Sequence, residues 1–134
     1  MRFFKILMLI LLLTCSLFIV MGCDGSYEQE VCGIAYEYVS GGNPKAVHMD
    51  NFKLYADGTG ICNDATVYLR LWRTDDTKEE PFIHIQSSDY VSLDYNYCFE
   101  DGLLKFTNKK GYELYYKPVR TFKGLSKYEE KYGY

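Results

Sequence analysis

The chain has 134 residues, 15 basic and 18 acidic, for a net charge of −3, with 14 tyrosines, eight phenylalanines, one tryptophan and five cysteines. That length allows one modest core and not two. The acidic balance, with no basic stripe, argues against nucleic acid as a partner, and the aromatic load argues against disorder.

Residues 1–22 stand apart. Arg2 and Lys5 are the only charges before Asp24, and Ile6 to Met21 is apolar apart from Thr14 and Ser16. A positive start, an oily run and a small residue before a cut describe an export leader. The run from Phe3 to Met21 is also long enough to span a bilayer as a helix. Val20-Met21-Gly22-Cys23 favours the first reading. It resembles the lipobox of bacterial lipoprotein signals, with a branched apolar residue at −3, a small residue at −1 and then cysteine. The resemblance implies cleavage before Cys23, acylation of Cys23, and anchoring to the cell membrane or outer membrane with the domain on the non-cytoplasmic side. Each buried methylene contributes ~0.8 kcal/mol, so two or three acyl chains hold a protein durably. Asp24 resembles the inner-membrane retention signal of one group of two-membrane bacteria.

Loss of Arg2 and Lys5 with the leader takes the basic count from 15 to 13 against 18 acids, a net charge of −5. Cys15 leaves too, and Cys23 is taken by lipid. Cys32, Cys62 and Cys98 remain, and in an oxidising compartment they imply one disulfide among the three and one leftover thiol. Their spacing of about thirty residues, without a histidine pair, does not suit a metal site.

The mature chain reads as a tether over 23–30, a β domain over 31–118 and a tail or short helix over 119–134. The tether after Cys23 is polar, and its seven residues 24–30 reach at most ~25 Å. Val31 to Val39 is a strand ending at Ser40-Gly41-Gly42-Asn43-Pro44. His48 to Ala56 meets Asp57-Gly58, a hairpin signal, and Thr59 to Asn63 returns. Thr66 to Arg73 alternates strictly, with Val67, Leu69 and Leu71 on one face and Tyr68, Arg70 and Trp72 on the other. The charged stretch Thr74 to Glu80 is an exposed loop before Pro81.

Phe82 to Gln86 is a further strand. Tyr90 to Glu100 shows the clearest two-residue period, with Val91, Leu93, Tyr95, Tyr97 and Phe99 on one face. Asp101-Gly102 turns into Leu103 to Thr107, and Asn108 to Gly111 turns into a strand that Pro118 ends. Phe122, Leu125, Tyr128 and Tyr132 recur at helical spacing, which predicts a short amphipathic helix within Thr121 to Tyr132. About eight strands with local turns predict an all-β protein, an antiparallel up-and-down barrel or meander. Closure removes exposed edges and leaves an interior that side chains fill or one small ligand occupies.

Two stretches carry a resemblance to small bacterial lipocalin-like lipoproteins. Phe52 to Gly60, with its Asp57-Gly58-Thr59-Gly60, looks like their strand–turn–strand unit, and Tyr97 to Phe106 is similar to their later hairpin. The family often opens with Gly-x-Trp; Cys32-Gly33-Ile34-Ala35 keeps the glycine and has no tryptophan. The resemblance implies a lipid-anchored barrel that binds a small apolar ligand.

Neither histidine, His48 or His84, has a motif neighbour, and the acid pairs lie in loops or the tail, so catalysis is not expected. No cofactor or metal is expected either. Branched aliphatics fill small barrels well, which places Val67, Leu69 and Leu71 inside and leaves Tyr68, Arg70 and Trp72 as an outer strip of the composition found at binding hot spots. The reverse facing gives an aromatic pocket with an arginine for an anionic head group. Two functions follow: a binding module for a small apolar ligand, or a packed-barrel interaction protein of the envelope. The second class includes an inhibitor of wall-degrading enzymes, and its partner would be an envelope protein or other envelope component.

Overall fold

The computed structural model describes residues 31–75, 80–89 and 91–134. The leader, Cys23 and the whole of the tether lie outside the described residues. From Cys32 onward the chain builds eight strands: β1 Ala35–Gly41, β2 Asn51–Leu54, β3 Gly60–Cys62, β4 Val67–Asp75, β5 Phe82–Ser87, β6 Ser92–Glu100, β7 Leu103–Thr107 and β8 Glu113–Val119. Each pairs antiparallel with the next, and β8 closes on β1, making an up-and-down barrel. One helix, α1 Leu125–Tyr132, follows. Among the described residues no helix is long and apolar enough to cross a membrane.

The turns obey their local chemistry. Asp101 and Gly102 both take positive φ, 53° and 77°, the geometry of a two-residue hairpin turn whose twist matches its strands. Asp57 closes the other Asp-Gly turn by accepting hydrogen bonds from the Thr59 amide at 3.0 Å and its hydroxyl at 2.5 Å. The β3–β4 turn is costlier. Asn63, Asp64 and Ala65 all sit at φ between 54° and 61°, a region in which non-glycine residues are strained. Buried Asn51 holds this turn by donating to Asp64 Oδ1 at 2.9 Å and accepting from the Asp64 amide at 2.8 Å.

The ladder continues past Pro118, which stands opposite Tyr36. β7 pairs β8 only as far as Tyr116, so the missing proline N–H falls where β8 has a ladder on one side, a position that tolerates proline. The helix starts later than its periodicity suggests. Gly124, in the left-handed region at φ 84°, turns the chain immediately before Leu125.

Two apolar layers result. Inside the barrel, Tyr36, Phe52 and Cys62 share one cross-strand row, and Ile83, Ile85, Tyr95, Phe106 and Tyr116 fill the remaining wall. Outside, the row Val119–Ala35–Lys53–Ile61–Tyr68 crosses five strands. Helix α1 covers it: Leu125 packs with Ala35, Tyr55 and Ile61, flanked by Val119, Phe122 and Tyr128. The Lys53 ammonium meets Glu129 Oε2 at 2.9 Å within this seam.

Two sequence expectations need correction. The alternation of β4 breaks at Arg70, where a bulge separates Leu69 opposite Ser87 from Leu71 opposite Gln86. One extra residue exchanges the two faces beyond it. Leu69 is therefore buried, while Leu71 is 43% exposed and Trp72 stands opposite buried Ile85. The expected disulfide is also not formed. Cys62 is buried in the interior row and Cys98 is exposed on the outer wall opposite Lys105, and both thiols are free.

A candidate interaction surface on the outer wall

The barrel interior is occupied by a continuous stack of rings. Phe52 lies 5.2 Å from Tyr36, 5.7 Å from Phe106 and 5.0 Å from Tyr116, and Phe106 lies parallel to Tyr95 at 4.9 Å. Such offset and edge contacts add to the burial energy of the rings. Within this group the Tyr116 hydroxyl donates to the Met49 carbonyl at 2.9 Å. Burial raises the Tyr116 pKa, so the phenol stays neutral there. At the mouth, a pocket lined by Val47, His48, Tyr95, Tyr112 and Leu114 holds about 40 Å³, space for roughly one water. His48 stacks on Tyr38 at 3.9 Å.

The outer wall carries a second aromatic group with a different character. Tyr68 projects outward from β4, 45% exposed. Its ring lies 5.9 Å from Tyr128, and its hydroxyl is 3.4 Å from that of Tyr132. Tyr128 and Tyr132, one helical turn apart, stand 4.8 Å from each other. Lys131 places its ammonium 5.4 Å from the Tyr132 ring. The hydrogen bond with Tyr68, then Lys131, lowers the Tyr132 pKa, while the same bond raises that of Tyr68.

The helix is fixed at its far end by Tyr134. That ring stacks on Tyr55 at 3.9 Å, and its hydroxyl donates to Asp57 Oδ2 at 2.6 Å. The Thr59 and Tyr134 hydrogen bonds hold the Asp57 carboxyl below its ordinary pKa. Burial, and then the Glu129 carboxylate, raises the Tyr55 pKa.

The three residues of the sequence-predicted strip are thus divided. Tyr68 belongs to the aromatic seam with α1. Arg70 is exposed at the bulge. Trp72 is half-buried, its indole N–H donating to the Tyr55 carbonyl at 2.7 Å and its amide donating to the Gly58 carbonyl. It buttresses the Asp57-Gly58 turn rather than extending the strip. The strip is completed instead by Tyr128, Lys131 and Tyr132, which the sequence places sixty residues away. Their helical spacing signals an apolar face but not the strand it covers.

Elsewhere on the wall, an open cleft of about 400 Å³ runs over β6 to β8, with Asn96, Cys98, Lys105, Thr107 and Glu113 among its lining. Lys105 is held there by Glu100 at 2.8 Å and by Glu113 at 4.0 Å. His84 Nδ1 meets Asp94 Oδ1 at 2.5 Å across β5 and β6. Cys62 is not reactive in this setting, because burial pushes its thiol up to about 12 and the thiolate is the nucleophile. Among the described residues no cluster of three or more His, Cys, Asp or Glu could hold a metal ion. Comparison of the chain with known proteins finds no matching family model, no matching curated protein and no matching solved structure.

Proposed function

We propose that this protein is a lipid-anchored barrel, attached through Cys23, that acts by contact through its outer aromatic surface as an interaction protein of the cell envelope. The observation that carries the reading is the ring stack from Tyr36 through Phe52 and Phe106 to Tyr95. These rings, each at most 7% exposed, take up interior volume for which a small apolar ligand would have to compete, which favours the wall as the working surface. There Tyr68, Tyr132 and Tyr134 are each nearly half exposed. Tyrosine, with arginine, is over-represented among the residues that dominate interface energetics.

The anchor and the surface have separate tests. Cys23→Ser releases the protein from membranes or leaves its leader uncleaved; unchanged migration with full membrane retention defeats the lipid anchor. For the surface, a photo-crosslinking residue is placed in cells at Tyr68 and, as control, at Tyr115 on β8. The reading expects adducts at 68 and few at 115. Equal labelling at both positions, or none at either, overturns it. Native mass spectrometry of the purified full chain should give the mass of the acylated protein alone. A stoichiometric apolar small molecule would restore the ligand-carrying barrel in its place.

A further inference from the structure

We infer that the Tyr68–Tyr132 face docks the barrel onto an anionic membrane surface, with Lys131, Lys127 and Arg73 against the lipid head groups. This deepens the proposed function and rests on it, since it names the envelope component that the outer surface contacts.

Three observations converge. The first is composition. Tyrosines with hydroxyls in water, interleaved with lysine and arginine, are the side chains that settle at a bilayer interface, apolar ring inward and polar tip at the head groups. Tyr68 and Tyr132 present this arrangement with Lys131 beside them.

The second is charge. The chain is acidic overall, at −3, and −5 without Arg2 and Lys5. An acidic domain held beside an anionic bilayer is repelled unless it turns a basic face toward it. The outward side of β4 offers exposed Arg73, and α1 adds Lys127 and Lys131. Of the nearby acids, Glu129 is paired with Lys53 and Asp57 is bonded to Tyr134 and Thr59, while Asp89, exposed in the turn after β5 whose Ser88 amide donates to the Tyr68 carbonyl, leaves the basic side chains in the majority. Glu130 is exposed, but it sits about 100° round the helix from Lys131.

The third is position. Cys32 bridges Leu54, and the chain enters β1 at Ala35, in the same cross-strand row as Tyr68. Three strand spacings separate them, roughly 14 Å round the wall. A tether of seven residues, ~25 Å at full stretch, lets that row reach a bilayer holding the Cys23 acyl chains. Docked this way, the β1–β2 and β7–β8 loops, with exposed Val47 and Tyr112, lie at the barrel end opposite the start of β1.

The single tryptophan of the chain provides the measurement. The full lipidated protein is reconstituted into vesicles of phosphatidylcholine alone, or with one third phosphatidylglycerol, each carrying a dansyl-labelled phospholipid. Energy transfer from Trp72, next to Arg73, should be higher in the anionic vesicles and fall back at high salt as screening shortens the field. Each cation near an anionic surface is worth about 1 kcal/mol, so Lys131→Glu, a change of two charges, should lower the ratio of face-down to face-up protein roughly 30-fold. The double change Tyr68→Ser with Tyr132→Ser should lower transfer without moving its salt dependence. Equal transfer in both vesicle types, untouched by Lys131→Glu, overturns the docking while flotation still reports an intact anchor. If the protein does not float with vesicles at all, it is the anchor that fails. Crosslinks from position 68 to lipid support the docking, and crosslinks to protein alone count against it.

Discussion

The barrel interior and the seam beneath α1 are both built from aromatic rings, yet they are stabilised in opposite ways. Inside, Tyr36, Phe52, Phe106 and Tyr116 are each at most 1% exposed, and their energy comes from surface removed from water and from close ring contact. Outside, Leu125 buries only a small apolar strip of Ala35, Tyr55 and Ile61, and around it Tyr68, Tyr132 and Tyr134 keep nearly half of their surface in water and are held by hydroxyl hydrogen bonds and stacking, beside one lysine–glutamate pair. The interior is therefore the stable unit and the seam the adjustable one. Partly solvated polar contacts are individually weak, which suits a surface that must accept another surface.

The comparison is broken most severely from the inside. Phe52 is fully buried and touches Tyr36, Phe106 and Tyr116. Phe52→Ala should cost about 3–5 kcal/mol, the range for a buried phenylalanine replaced by alanine. Urea denaturation followed by Trp72 fluorescence would report it. A loss under about 1 kcal/mol would mean that the ring stack is not the support of the barrel.

Next comes the junction that sets the helix on the wall. Gly124 has φ 84°, and a Cβ there would lie 2.6 Å from the Asp64 carbonyl oxygen and 3.2 Å from the Ala65 Cβ. Those neighbours belong to the strained β3–β4 turn and have little freedom to move. Gly124→Ala should cost roughly 2 kcal/mol from the left-handed backbone alone, with faster hydrogen exchange confined to α1 and the 63–65 turn. Exchange spreading equally into β5 and β6 would show that the two regions are not separable. A loss of this size in α1 should also weaken docking through the Tyr68 face while leaving the barrel folded.

How much of this could be read in the sequence follows the same division. The eight strands, their order and the Asp-Gly hairpins were legible because each depends on near neighbours: alternation in Leu93, Tyr95 and Tyr97, and turn chemistry in Asp57-Gly58 and Asp101-Gly102. Closure followed from successive local turns. What escaped was set by single residues acting at a distance. The bulge at Arg70 exchanges the faces of Leu71 and Trp72, and nothing in Leu69-Arg70-Leu71 announces it. Cysteine counting pointed to a disulfide, but pairing needs side chains on the same face of the wall, and Cys62 faces inward while Cys98 faces out. The partners of Tyr68 were equally out of reach, because α1 lies sixty residues further along and meets β4 only when the barrel closes.

The smallest expected effect falls on the last residue and carries a pH signature. Tyr134→Phe keeps the stacking on Tyr55 but removes the hydrogen bond to Asp57 Oδ2. Asp57 is exposed, so the loss in stability at neutral pH should be well under the ~1.5–3 kcal/mol of a buried hydrogen bond to a charged group. Its carboxyl is held below the ordinary value by Thr59 first and Tyr134 second. A depressed carboxyl contributes stability that is present above the unfolded pKa of about 4 and is lost as pH falls through the lower, folded value. In that window the unfolded chain binds the proton first, so stability rises with pH. Removing the Tyr134 hydroxyl brings the folded pKa closer to the unfolded one. The variant should lose less stability than the parent between about pH 4 and pH 2, with the two curves converging at the acid end. Parallel curves separated by a constant offset would mean that Tyr134 acts through its ring alone. The seam would then be held by stacking, as the interior is, rather than by its hydroxyls.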